Sequence, residues 1–141
     1  MKSLEVILVA DSFSQQMKLF VVGFLQSRGV RFTDLLSNDE SKALRPQELA
    51  TRAVNALHLI PDNCCLLISR TGNSIQMHAN KYASVSAAPC YSPAEATEAV
   101  DQWDARMCEI SSELPEVRIT SIADAFLVAF SEKYAIPLVI H

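Results

Sequence analysis

The stretch Ser69-Arg70-Thr71-Gly72-Asn73-Ser74 combines three hydroxyls, a guanidinium and a glycine directly after the apolar run Cys64–Ile68. A strand ending there and feeding a helix would aim the loop amides at one spot, where the helix dipole favours an anion. Hydroxyls of Ser69, Thr71 and Ser74 add hydrogen bonds, and Arg70 adds charge. Such a loop suits phosphate binding or the stabilisation of an oxyanion or enediolate. A plain strand-to-helix connection with ordinary caps would use the same residue types. A second polar stretch, Asp11-Ser12-Phe13-Ser14, follows the apolar run Leu4–Ala10 and reads as helix caps or as a companion to the first loop. Trp103, the only tryptophan, suits stacking on a ligand, an interface or core packing.

Other chemistries are excluded by what is missing. The chain has only three glycines, Gly23, Gly29 and Gly72, so it has neither a G-x-G-x-x-G dinucleotide turn nor a G-x-x-x-x-G-K-[ST] phosphate loop. Cys64, Cys65, Cys90 and Cys108 form no C-x-x-C pair, and His58, His78 and His141 have no ligand spacing. Buried reduced thiols are expected, with no metal and no cofactor.

The elements that must hold these loops follow from periodicity. Leu4–Ala10 and Cys64–Ile68 are continuous apolar runs of the kind found in strands buried on both faces. Val30–Leu36, Val85–Ala88 and Arg106–Ile110 give three further strands. Met17, Phe20, Val21, Phe24 and Leu25 mark one helix face, with Gly29 as its left-handed cap. Ser37–Arg45 reads as a loop, and Pro46 opens the next helix. A short helix runs through Lys81. Ser92-Pro93-Ala94-Glu95 is a capping box that starts a helix ending near Trp103. The last helix runs from Thr120. Strands alternating with amphipathic helices imply a three-layer α/β/α sandwich, Rossmann-like, around a five-stranded parallel sheet of order 2-1-3-4-5. Ligands of such folds sit beyond the carboxyl ends of the strands, where the Asp11 and Ser69 loops become neighbours.

At this level of detail the residues resemble a family. Ala10-Asp11-Ser12-Phe13-Ser14-Gln15-Gln16-Met17-Lys18 is similar to the D-H-x-G-x-x-x-K motif of the ribose-5-phosphate isomerase B and galactose-6-phosphate isomerase family. Ile68 to Lys81 resembles its I-C-G-[TS]-G-x-G-x-x-x-x-A-N-K motif, and Gln102-Trp103-Asp104-Ala105-Arg106-Met107 resembles its H-N-[DN]-A-[NR]-x segment. The resemblance covers roughly residues 4–134. It implies aldose–ketose isomerisation of a pentose 5-phosphate or galactose 6-phosphate through a cis-enediol. The carry-over puts Ser69, Thr71, Asp11 and Gln102 at catalytic positions. It puts Ser12, Arg70, Gly72, Asn73, Ser74 and Trp103 at substrate-binding ones. The usual base cysteine is Ser69 here, the glutamate that some members use instead falls on Ile75, and the ring-opening histidine is Gln102. A serine hydroxyl does not titrate near neutral pH, so unaided it is a poor base. The alternative is therefore a catalytically impaired relative that binds a sugar phosphate or small anion, or serves as a non-catalytic subunit.

Net charge is −4 with a pI of about 5.3 and no basic stripe, so no nucleic-acid partner is expected. The start is too short and acidic for a signal peptide, and no apolar run reaches membrane-spanning length. One domain over residues 1–141, without a membrane partner and cytoplasmic, is the expectation. The apolar tail Ile136–Ile140 suggests a subunit interface. Relatives of this family combine residues of two chains in one site, which implies a homodimer or higher homo-oligomer, or a hetero-oligomer with a related subunit.

Overall fold

The computed structural model of the chain describes residues 2–60 and 62–139. Its elements alternate as expected. Strands β1 (Glu5–Ala10), β2 (Arg31–Asp34), β3 (Asn63–Ser69), β4 (Ala87–Pro89) and β5 (Met107–Ser111) are interleaved with six helices. These are α1 (Gln15–Ser27), α2 (Asn38–Lys42), α3 (Pro46–Leu59), α4 (Gln76–Ala79), α5 (Pro93–Trp103) and α6 (Glu116–Tyr134).

The five strands are all parallel, and the sheet is covered on both faces. Alternate side chains of β1 and β3 feed opposite layers, as strand geometry requires. Val6, Leu8, Cys64 and Leu66 pack with Val21 and Leu25 of α1, Val100 of α5 and Phe126 of α6. Ile7, Val9, Cys65 and Leu67 pack with Leu49, Ala53 and Leu57 of α3. Every residue of β3 is buried. Each large aliphatic there stabilises the fold by roughly 1.5–3 kcal/mol relative to exposure.

The sheet order is β2-β1-β3-β5-β4, so the last two strands are exchanged relative to the sequential order 2-1-3-4-5. The reason lies in their residues. Every residue of β5 is buried, and a central place between β3 and β4 provides that burial. β4 is three residues long, partly exposed, and ends on Pro89. Proline cannot donate to a ladder and belongs at an edge.

The expected loop Ser37–Arg45 contains α2. Ser37 caps it, its hydroxyl accepting from the Glu40 amide at 3.1 Å while Glu40 accepts from the Ser37 amide at 3.0 Å. The S-x-x-E spacing of Ser37 and Glu40 is the local signature of that start. The tail is half-buried on the chain's own core: Leu4 N–H donates to the Pro137 carbonyl at 2.8 Å, and Val139 lies against Gly29. That packing accounts for part of the apolarity of residues 136–139. Pro61, Ile140 of the tail and His141 lie outside the described residues. No described helix is long and apolar enough to cross a membrane.

Candidate functional site

The adjacency of β1 and β3 is as expected, and it brings the Asp11 and Ser69 loops together. Asp11 leaves β1 with its amide on the Ile68 carbonyl at 2.9 Å. Its Oδ2 accepts from the Arg70 amide at 3.0 Å, while Oδ1 is buried with no partner among the described residues. Asp11 thus acts neither as a helix cap nor as a free carboxylate but as a strut under the second loop.

Gly72 turns that loop with φ +82°, a left-handed conformation that side chains disfavour. An added Cβ would lie 3.0 Å from both the Cβ and the backbone nitrogen of Ser111, so the glycine is also required by contact. β5 latches the loop from this side. Ser111 Oγ donates to the Arg70 carbonyl at 2.7 Å, and the Ser112 amide donates to the Ser69 carbonyl at 2.8 Å. Ser14 Oγ donates to Ser112 Oγ at 2.9 Å, joining the first loop to the same latch.

Glu109 sits in the centre of this arrangement. It is fully buried on β5, and its carboxylate faces the start of α4. The Ile75 amide donates to it at 3.0 and 3.2 Å, and the Gln76 amide at 2.6 Å. Ser69 Oγ donates to Glu109 Oε2 at 2.5 Å and itself accepts from the Gly72 amide at 2.8 Å. Of the loop amides expected to receive a ligand's anion, Arg70 is held by the Asp11 carboxylate and Gly72 by the Ser69 hydroxyl, while Glu109 takes the next two amides along the chain, Ile75 and Gln76. Burial raises the Glu109 carboxyl above the ordinary glutamate range; the three donors oppose this and the Asp11 charge adds to it.

Sequence reasoning did not single out Glu109. The signal was a lone acid in the apolar strand Met-Cys-Glu-Ile-Ser, because an acid covered on both faces must find donors.

The other expected site residues divide between two ends of the sheet. Ser69 and Gly72 are buried, and Thr71, Arg70 and Asn73 are exposed around them, with Ser12 and Ser74 half-buried. The Arg70 guanidinium stacks 4.9 Å from the Phe13 ring centroid, and Tyr91 Oη donates to the Thr71 carbonyl at 3.1 Å. Gln102 and Trp103 are not part of this group. They are exposed in the last turn of α5, before the chain enters β5 at Met107, whereas the loop borders the other end of β5 at Ser111. The five strand residues between them span about 16 Å at ~3.3 Å each. Asn80 is a clamp between α4 and β4, exchanging hydrogen bonds with both the carbonyl and the amide of Ala87 at 2.8 Å.

The four cysteines are free and buried, and burial raises the thiols of Cys64, Cys65 and Cys108. Among the described residues no group of three or more His, Cys, Asp or Glu is arranged to hold a metal.

Solved structures share this architecture. Ribose-5-phosphate isomerase B from Mycoplasma genitalium, solved with bound ribulose-5-phosphate, superposes with a TM-score of 0.80 at 22% identity, over 90% of this chain and 85% of that one. The Anaplasma phagocytophilum enzyme gives 0.80 at 20% identity over 96% and 94%, and the Thermotoga maritima enzyme 0.79 at 19% over 95% and 88%. No curated protein sequence matches the chain. The sequence model of the ribose/galactose isomerases matches residues 6–135. That span takes in every helix and strand of the fold save the first residue of β1, and the chain belongs to the ribose/galactose isomerase family.

Proposed function

We propose that this chain is a catalytically impaired member of the family, one that does not isomerise sugar phosphates by itself and acts as a non-catalytic subunit. The observation that carries this reading is the Glu109 carboxylate seated on the Ile75 and Gln76 amides and the Ser69 hydroxyl. An enediolate needs preorganised donors at the place where its charge develops. Here the chain spends such donors on itself: Arg70 on Asp11, Gly72 on Ser69, and Ile75 and Gln76 on Glu109. The position of the usual base holds Ser69, which donates its only proton to Glu109 and accepts from Gly72, so it has no basic role left to play. As a subunit the chain would offer the exposed Gln102–Trp103 edge to a second copy or to a related chain.

A second reading, an active isomerase of the pentose 5-phosphate or galactose 6-phosphate type, draws on Asp11, Thr71 and the left-handed Gly72, which remain in place. One structural relative holds ribulose-5-phosphate, so pentose phosphates are the first compounds to assay. The purified chain is expected to show no turnover of ribose 5-phosphate or galactose 6-phosphate above background. Turnover abolished by Thr71→Ala would overturn the proposal.

A further inference from the structure

At the other end of the sheet lies a cavity of about 370 Å³, lined by Asp62, Asn63, Arg106, Phe130, Tyr134 and Ile136. Asn63 is the first residue of β3 and is fully buried. Its Oδ1 accepts from Arg106 Nη2 at 2.9 Å and its backbone carbonyl accepts from the same nitrogen at 3.1 Å. Its Nδ2 has no acceptor among the described residues. A buried donor left unmatched costs roughly 1–3 kcal/mol. Arg106, half-buried, spends only Nη2 on these contacts, and among the described residues it forms no ion pair with a carboxylate.

Apart from Asp62, the remaining walls are aromatic or aliphatic. The Phe130 and Tyr134 rings are tilted against each other with centroids 4.7 Å apart, and Ile136 is half-buried beside them. Two carboxylates are near. Asp104 is taken up by Lys133 and by the Tyr134 hydroxyl, and Asp62 is exposed to solvent, which screens it. An uncompensated guanidinium and an unmatched amide donor thus border one cavity with aromatic walls. A guanidinium fork suits the planar geometry of carboxylate and phosphate oxygens.

We propose that this cavity is a binding site for a small organic oxyanion, its charged head on Arg106 and Asn63 and its planar or apolar body against Phe130, Tyr134 and Ile136. The site is independent of the Ser69 loop and of whether that loop catalyses anything. It lies on chain segments that the loop chemistry does not use.

The test is a titration of the full chain with phenyl phosphate, benzoate and inorganic phosphate, followed by calorimetry and by the side-chain amide resonance of Asn63. Phenyl phosphate or benzoate is expected to bind one per chain with a saturable shift at Asn63. Whichever binds tighter identifies the head group as phosphate or carboxylate. Arg106→Gln should weaken binding at least tenfold. Tyr134→Ala should weaken the aromatic probes more than inorganic phosphate. Because Arg106 also holds the start of β3, the Asn63 titration in the unmodified chain stands as the independent measurement. Absence of a saturable shift there, shifts confined to residues 69–76, or unchanged affinity in a folded Arg106→Gln protein would each overturn the proposal.

Discussion

Replacing Glu109 with alanine isolates what the buried carboxylate does. The variant strips acceptors from the Ile75 amide, the Gln76 amide and the Ser69 hydroxyl. Hydrogen bonds to a charged group contribute about 1.5–3 kcal/mol each, so the gross loss is about 6 kcal/mol. Against this, the variant no longer buries a carboxylate, which relieves an effective penalty of several kcal/mol. Since burial and donors oppose each other in the ionised group, the net loss comes from the donors left buried without acceptors at Ser69 and Ile75 and from the space vacated by the side chain, about 3 kcal/mol in all. For a chain of 141 residues that is about 10 °C in Tm, at ~3–4 °C per kcal/mol.

The vacated amides then form an open anion site at the beginning of α4. If inorganic phosphate occupies it with a Kd of ~1 mM, 10 mM phosphate restores RT ln 11, about 1.4 kcal/mol or ~5 °C. Urea denaturation and thermal unfolding of both proteins, with and without phosphate, measure each quantity. The quantity that decides is the phosphate increment of Glu109→Ala minus that of the unmodified chain, which removes any contribution from the Arg106 cavity. A variant as stable as the parent, or one gaining no more from phosphate than the parent does, refutes the view that Glu109 is an internal occupant of the loop.

Two further outcomes follow from the same loop. Because burial raises the folded-state pKa of Glu109 from its usual 4.5, its contribution to stability is fullest below that value and is lost as pH rises through the raised one. The stability of the parent relative to Glu109→Gln should therefore fall with pH above about 4.5, as read by urea midpoints over a pH series. A difference that stays flat or rises with pH contradicts the assignment. Gly72→Ala forces a side chain into φ +82° and brings its Cβ to 3.0 Å from Ser111. Left-handed strain of roughly 1–2 kcal/mol and a similar overpacking penalty give a loss of about 3 kcal/mol in chemical denaturation. A loss under 1 kcal/mol would mean that the loop moves aside.

The local signals in this chain were dependable where they were chemical and short-ranged. The apolar runs that become β1 and β3, Pro46 and Ser92-Pro93 at the starts of α3 and α5, and Gly29 after α1 each act over a few residues. The α2 cap at Ser37 is equally local, but its polar surroundings resemble a loop. The motif residues Asp11 and Thr71-Gly72 could be placed near one another because β1 and β3 are neighbours under either strand order.

What the sequence alone determined, then, is the fold class, the family resemblance and the loop on which chemistry would have to occur, since all three rest on patterns written within short segments. The tertiary structure alone decided three other things. It placed β5 inside the sheet and β4 at its edge, put Gln102 and Trp103 at the far end of β5, and seated the Glu109 carboxylate on amides more than thirty residues earlier. Strand pairing and burial are set by the competition of all strands for the interior. No spacing within one segment records which distant acid will meet which loop's donors.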